Sequence, residues 1–265
     1  MKIAIIGTGI SGNVLGYHLH KEHDITVFEA NDYIGGHTHT HDISLNGRDY
    51  RIDTGFIVFN DQTYPHFIEL LDQLNVDVQK SNMSFSVKCA LSGLEYNGNN
   101  LNSLFAQRSN LFKPSFYRMI NNILRFNKEC LSLLETDSTV SLGEYLKNNG
   151  YSQQFIDYYI VPMGSAIWSS SYEQMMAFPA QFFIRFFRNH GLLNVNDRPD
   201  WYVIKNGSNA YVDKLINGFK DTIRLGSPVR KVKRLPQHVE ITTDEVTAEK
   251  FDYVFFACHS DQALA

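Results

Sequence analysis

The sequence predicts an α/β protein in which a parallel sheet and a β-meander are interrupted by an inserted, mainly helical domain. Three observations predict it. Two wholly apolar stretches, Ile3-Ala-Ile-Ile6 and Tyr253-Val-Phe-Phe-Ala257, read as central strands of a parallel sheet. A glycine-rich turn and a helix separate the first of these from another apolar strand, as in a βαβ opening. Between the two ends, the pattern turns helical for roughly a hundred residues.

The elements follow in order. After Ile3–Ile6 comes Gly7-Thr-Gly-Ile-Ser-Gly12, then a helix to about Lys21. His18, His20 and His23 lie near its end, where they are expected to face solvent and suit the negative end of the helix dipole. Ile25–Phe28 is the second strand. Two alternating runs between Ile43 and Ile52 flank Asn46-Gly47, a strong hairpin signal. A helix spans Tyr64 to Leu74 with Phe67, Leu70, Leu71 and Leu74 on one face. Short strands occupy Met83 to Leu94. Pro114 suits the first turn of a long helix ending near Glu135. Ser141-Leu-Gly-Glu144 has the form of a capping box, and Gly150 ends that helix. Further helices cover Gln153–Met163 and Ala180–His190. After Trp201 the sheet resumes, and Ser208 or Asn209 starts a short helix to Gly218. Val229–Lys233, Val239–Thr242 and Val246–Lys250 read as a meander, after which Tyr253–Ala257 rejoins the parallel sheet. The domains expected are 1–80 with 200–265, and an insertion over 81–199.

Composition excludes some functions. The chain has 265 residues and a net charge of −4, and its most basic stretch, Val229-Arg-Lys-Val-Lys-Arg234, alternates with apolar residues as a strand does. No nucleic-acid surface is expected, and membrane-surface contact stays open but is not indicated. Met1-Lys2 leads into four apolar residues, too few for a signal-peptide core or a membrane span, so a cytoplasmic location is the expectation. Cys89, Cys130 and Cys258 form no CxxC pair and read as buried, reduced thiols. His37, His39 and His41 alternate, but no cysteine or carboxylate cluster joins them, so no metal is assigned. Phe182, Phe183, Phe186 and Phe187 read as core, with the roof of a substrate cavity as the alternative. Arg185 and Arg188 read as a solvated face, with a carboxylate or lipid headgroup as the alternative partner. Neither a Gly-x-Ser-x-Gly elbow nor a His-Glu-x-x-His helix is present.

The chemistry sits in the opening segment. In Gly7-x-Gly9-x-x-Gly12, Gly7 permits a tight turn out of the strand, Gly9 a close backbone approach to a pyrophosphate, and Gly12 tight helix–sheet packing. The helix that follows presents unpaired N–H groups and about half a positive charge to phosphates. Glu29 ends the second strand seventeen residues after Gly12, where a carboxylate accepts hydrogen bonds from an adenosine ribose. An acidic residue there disfavours a 2′-phosphate, and hence NADP. A diglycine, Gly35-Gly36, follows the ribose carboxylate, then His37-Thr38, and later Asp53-Thr-Gly-Phe56. These extra small residues suit a longer cofactor than NAD, whose remainder runs on past the pyrophosphate. A Rossmann-type domain binding FAD is the reading that results.

The run from Gly7 to Thr38, with Asp53-Thr-Gly55, resembles the flavin-containing amine oxidase superfamily, which also holds protoporphyrinogen oxidases and phytoene-desaturase-like enzymes. The likeness is greatest to a bacterial branch described as NAD/FAD-binding amine-oxidase-like proteins. Pro162-Met-Gly-Ser-Ala-Ile-Trp-Ser169, Tyr202-Val-Ile-Lys-Asn-Gly-Ser208 and Phe255-Phe-Ala-Cys-His-Ser-Asp-Gln262 are similar to that branch. The resemblance implies that Gly7, Gly9, Ile10, Ser11 and Gly12 line the pyrophosphate, and that Glu29 with Ala30 holds the adenosine ribose. It implies that Gly35, Gly36, His37 and Thr38 continue along the phosphates, and that Thr54, Gly55 and Phe56 sit by the ribityl–flavin end. The backbone of Val229 would pair with adenine, and Ala257 would lie near the adenosine half. Relatives run on past Ala265, so the C-terminal part of the family fold is expected to be missing. The implied function is an FAD-dependent oxidoreductase that takes hydride from a C–N or C–C bond of a small, apolar or lipid-like substrate. The alternative is a dinucleotide-binding protein without catalysis. No catalytic residue, electron acceptor or oligomeric state is readable.

Overall fold

The computed structural model describes residues 1–194 and 199–264; residues 195–198 of the expected insertion and Ala265 lie outside the described residues. The chain divides into two compact units, Met1–Ser81 with Trp201–Ala265, and Asn82–Asp200.

The first unit is built on a four-stranded, wholly parallel sheet in the order Ile223–Arg224, Asp24–Phe28, Lys2–Ile6, Tyr253–Phe256. The period of two along its strands sorts their side chains between two layers. Ile3, Ile5, Ile25 and Val27 pack with Tyr211, Val212, Ile216 and Phe219 on the side of the helix Asn209–Ile216. Ala4 and Phe28 point the other way, onto Ile241 and Phe251 of a meander formed by Val229–Arg234, Val239–Thr243 and Glu249–Phe251. Each buried isoleucine, valine or phenylalanine among them contributes roughly 1.5–3 kcal/mol. The Asn46-Gly47 hairpin joins Thr40–Leu45 to Arg48–Asp53, with both turn residues at positive φ, as a two-residue turn between twisted strands requires.

Some details differ from the sequence expectation. The strand Trp201–Ile204 does not resume the parallel sheet; it pairs antiparallel with Phe59–Asn60 and Val78–Ser81 in a sheet of its own. The edge strand Ile223–Arg224 is only two residues long and carries no periodic signal. The third meander strand starts at Glu249, because the turn before it runs through Ala248 at positive φ. His20 does not face solvent: its ring packs 5.7 Å from that of Phe219, and its Nδ1 lies 2.9 Å from the carbonyl of Tyr17.

The second unit is helical around one core that includes the wholly buried Phe116, Met119, Phe126, Phe155 and Phe183. Its short strands are Ser86–Lys88 and Glu95–Asn97. The long helix runs from Pro114 to Glu129 and only its continuation to Glu135 is the tighter 3₁₀ form. Ser141 and Glu144 cap Leu142–Asn148 reciprocally, and Gly150 takes positive φ just beyond it. Tyr172–Ala177 is a helix the sequence reading omits. The phenylalanine stripe divides: Phe183 and Phe187 are core, whereas Phe182 is 56% exposed. Arg185 and Arg188 are exposed.

The run from Gln153 to Trp168 is longer than expected and contains a π-helical turn, Ile156–Ile160, just before Pro162. Proline has no N–H, so the carbonyl four residues earlier, that of Tyr158, loses its helical donor. The phenol of Tyr96, itself buried, donates to that carbonyl at 2.6 Å. Burial, and then the neighbouring Tyr159, push the Tyr96 phenol well above its ordinary pKa, so it remains a donor. Tyr96→Phe is therefore expected to cost about 1–3 kcal/mol by removing this buried hydrogen bond beside the proline. Urea unfolding checks this, and unchanged stability would show that water replaces the phenol.

Only one of the three free cysteines is buried, Cys130; Cys89 and Cys258 are half-buried. Burial pushes the Cys130 thiol up to about 12. Hydrogen bonding from Ser92 holds that of Cys89 below its usual value. At mildly alkaline pH a disulfide reagent is expected to modify Cys89 readily and Cys130 only after denaturation. Mass mapping of the labelled peptides checks this.

Candidate functional site

A cleft of about 1740 Å³ opens in the first unit at the carboxyl ends of the parallel strands, where open α/β sheets bind ligands. It exceeds the roughly 300–1,000 Å³ typical of a site for a drug-sized molecule, so it suits a long one.

The first strand ends at Ile6 and Gly7 makes the turn, its N–H donating to the Phe28 carbonyl at 2.8 Å. At φ +105°, a Cβ on Gly7 would stand 2.7 Å from the Ala257 carbonyl oxygen. A Cβ on Gly12 would stand 1.9 Å from the Gly7 carbonyl oxygen, so the turn and the helix Ile10–Leu19 close tightly on one another. Gly9 differs from both. A Cβ there meets nothing within 4 Å and would project into the cleft that Gly9 lines. Gly9 is the N-cap of the helix and no side chain caps it, so the first N–H groups are left for something in the cleft.

Glu29 is buried at the end of the second strand. Its Oε2 accepts from the backbone N–H of Thr8 at 2.9 Å and from the Thr8 hydroxyl, and its Oε1 accepts from the Asn31 N–H at 2.9 Å. The carboxylate thus braces the glycine-rich turn, and Oε1 keeps acceptor capacity for a further donor. The diglycine Gly35-Gly36 is packed onto the first turn. A Cβ on Gly36 would stand 3.0 Å from Gly9 Cα, and one on Gly35 would stand 2.4 Å from the Thr38 carbonyl oxygen. The Thr38 hydroxyl meets the Tyr211 hydroxyl at 2.5 Å, and burial pushes the Tyr211 phenol above its ordinary value.

Of the residues singled out from sequence, Gly7, Gly9, Ile10, Ser11, Glu29, Ala30, Gly35, Gly36, His37, Thr38, Phe56, Val229 and Ala257 line the cleft together. Gly12, Thr54 and Gly55 are not among its lining residues. Gly55 lies against the backbone of His37, whose carbonyl oxygen a Cβ would meet at 1.6 Å, and the Thr54 hydroxyl contacts His41. Asp53, just before them, accepts from the N–H and hydroxyl of Ser208 and from the Thr40 hydroxyl, so it anchors the start of the helix Asn209–Ile216. His37 stacks on His259 at 5.5 Å, whereas His39 lies between Tyr33 and His41. Sequence reasoning missed Thr8, Tyr64, Phe67, Tyr211, Lys231 and Arg234, all of which line the cleft. Thr8 was within reach, since it lies inside the glycine motif, and so were Lys231 and Arg234, which share the strand Val229–Arg234 with Val229; Tyr64, Phe67 and Tyr211 are brought in by packing.

A family model described as flavin containing amine oxidoreductase matches residues 10–264. Over 79 residues the chain is 44% identical to a 1-hydroxycarotenoid 3,4-desaturase of Flavobacterium sp. (strain P99-3), which covers 29% of this chain and 15% of that protein. Among solved structures, wild-type putrescine oxidase bound to putrescine superposes with a TM-score of 0.69 at 19% identity, covering 97% of this chain and 58% of that one. Cyclohexylamine oxidase from Brevibacterium oxydans IH-35A gives 0.73 at 16% identity, covering 97% and 57%. A CLA-producing fatty acid isomerase from P. acnes gives 0.63 at 17%, covering 99% and 60%. The chain therefore spans about three-fifths of the length of these structures and a smaller share of the desaturase. With a family match over nearly its whole length, the chain belongs to the flavin containing amine oxidoreductases, whose cofactor is FAD.

Proposed function

We propose that this protein holds FAD in the cleft and serves an oxidoreductase that takes hydride from a C–N or C–C bond of a small, apolar substrate. The observation that carries the cofactor assignment is Gly9: an open position facing the cleft at an uncapped helix start, where a side chain would occupy the space of a phosphate. The N–H groups of Ile10 and Ser11 bind the pyrophosphate there, with Gly7 and Gly12 setting the turn. Glu29, with Ala30 beside it, takes the adenosine ribose on its spare acceptor capacity, and the Val229 backbone pairs with adenine. Gly35, Gly36, His37 and Thr38 continue along the phosphates, and Thr54, Gly55 and Phe56 define the ribityl–flavin side. When bound, FAD supplies the hydride acceptor, and the chain's own residues bind and orient it. The unit Asn82–Asp200 serves as the substrate domain. An apolar substrate is favoured by the local likeness to a carotenoid desaturase.

The test is the absorbance spectrum of the purified protein, followed by release and identification of the bound compound. A flavin spectrum with FAD released supports the reading, and NAD released in its place overturns it. A finer test addresses the ribose. Glu29→Gln is expected to weaken FAD binding by about 1–3 kcal/mol, since it removes a charged acceptor and sets an amide against N–H donors. Titration of apo-protein with FAD measures this, and equal affinity would place the ribose elsewhere. Anaerobic flavin reduction by a panel of amines and unsaturated lipids then separates an enzyme from a dinucleotide-binding protein without catalysis.

A further inference from the structure

The cleft carries two side chains whose pairing the cofactor assignment does not use. The rings of His37 and His259 lie parallel, 8° apart in plane and 5.5 Å between centroids, and both line the cleft. The two residues come from opposite ends of the sequence, and each segment packs on the glycine-rich turn. A Cβ on Gly36, next to His37, would stand 3.0 Å from Gly9 Cα. A Cβ on Gly7 would stand 2.7 Å from the carbonyl oxygen of Ala257, two residues before His259. The segments thus grip the turn, and their imidazoles meet in the cleft at which the helix Ile10–Leu19 presents its uncapped start. Both histidines are exposed, and among the described residues neither ring has a hydrogen-bond or ion-pair partner. Their nitrogens are open to a ligand.

The neighbouring charges are engaged elsewhere or stand apart. Among the cleft-lining residues Glu29 is the single carboxylate, and its oxygens are turned to Thr8 and Asn31. Asp53 precedes the Gly55 turn that packs on the His37 backbone, and it is bound to Ser208 and Thr40. His39 stacks between Tyr33 and His41, and the Tyr211 phenol meets Thr38. Arg230 pairs with Asp244, while Lys231 and Arg234 line the same cleft from the meander and Tyr64 from the opposite side of the sequence. On the segment of His259 itself, Cys258 precedes it and Asp261 lies in the helix Ser260–Leu264. No acid fixes the charge of either imidazole.

We infer that His37 and His259 act together as a proton-linked clasp on the pyrophosphate of the cofactor, so that FAD and protons bind together. The inference rests on the assignment of FAD to the cleft. In the free protein the first proton on the pair opposes a second, because two imidazolium charges would face one another across 5.5 Å. A doubly charged pyrophosphate offsets that repulsion, and each imidazolium is a charged donor for it. Imidazole is the side chain that takes up its proton between about pH 8 and pH 5. The N–H groups at the helix start serve a phosphate at every pH, and the clasp adds the part that titrates. FAD affinity therefore rises as pH falls through this range. By reciprocity, binding of FAD draws protons from solution near neutral pH.

Titration of apo-protein with FAD, followed by flavin fluorescence at several pH values, tests it. Wild-type affinity is expected to be at least about fivefold higher at about pH 6 than at about pH 8.5. Binding in weakly buffered solution at about pH 7 is expected to raise the pH. A His37→Phe, His259→Phe variant keeps two stacked rings without ionisable nitrogens. It is expected to bind FAD with most of the pH slope and the proton uptake gone. Every other titrating group, Glu29 included, is common to both proteins and cancels in the comparison. His37→Arg supplies a permanent charge and is expected to bind at about pH 8.5 at least as tightly as the wild type does at about pH 6. Both positions are exposed, so circular dichroism should remain unchanged. Equal slopes in the wild type and the double variant, or weak binding of the arginine variant at the higher pH, overturn the clasp and leave the cofactor assignment standing. Failure of FAD to bind at any pH overturns both.

Discussion

Gly9→Val is expected to yield a folded protein that does not retain FAD. Gly9 has ordinary negative φ, and a Cβ there touches no protein atom within 4 Å, so the first carbon of a side chain enters without a clash. The valine side chain stands in the cleft, at the mouth of a helix whose first N–H groups have no capping side chain. A pyrophosphate would have to move away from those donors. The loss should exceed about 3 kcal/mol, or about 100-fold in affinity. The measurement is flavin content against circular dichroism and urea unfolding of the apo-protein. Retention of FAD would mean that the phosphates lie elsewhere.

Gly12→Val is expected to fail differently, although the two glycines share one motif. Its Cβ would stand 1.9 Å from the Gly7 carbonyl oxygen, which is backbone and cannot rotate away. The helix Ile10–Leu19 would have to leave the sheet, exposing part of the layer formed by Ile3, Ile5 and Ile25. A destabilisation of more than about 4 kcal/mol is expected, the range reserved for gross overpacking. It should appear as low soluble yield and a lost unfolding transition, whether or not FAD is supplied. A normal transition for this variant would show that helix and turn are not locked together.

The opening βαβ unit was legible because its signals are local: two apolar runs, three glycines at fixed offsets, and an acid at the second strand's end. The capping box at Ser141 and the Asn46-Gly47 turn were legible for the same reason. Pairing between distant segments was not. Nothing in Trp201–Ile204 tells a parallel partner from an antiparallel one, and a two-residue strand such as Ile223–Arg224 has no period to read. The bond between Tyr96 and the Tyr158 carbonyl follows from a missing donor at Pro162, yet sequence alone does not say which phenol arrives. Glycine was legible as a sign of close approach, but not of what approaches. At Gly36 and Gly55 the neighbour is the protein's own backbone.

The strand Lys2–Ile6 has one neighbour close behind it and another, Tyr253–Phe256, at the far end of the chain; Lys2 and Asp252 hydrogen-bond across 250 positions. During synthesis at roughly 5–20 residues per second, that first strand waits on the order of ten to fifty seconds for its second partner. Meanwhile the unit Asn82–Asp200, continuous in sequence, can collapse on its own core. The floor of the cleft, where Gly7 rests against Ala257, exists only once the late strand has docked. A ligand in this cleft therefore meets its finished floor only after that strand has docked, and until then the first strand is an unpaired apolar edge of the kind that invites wrong pairing.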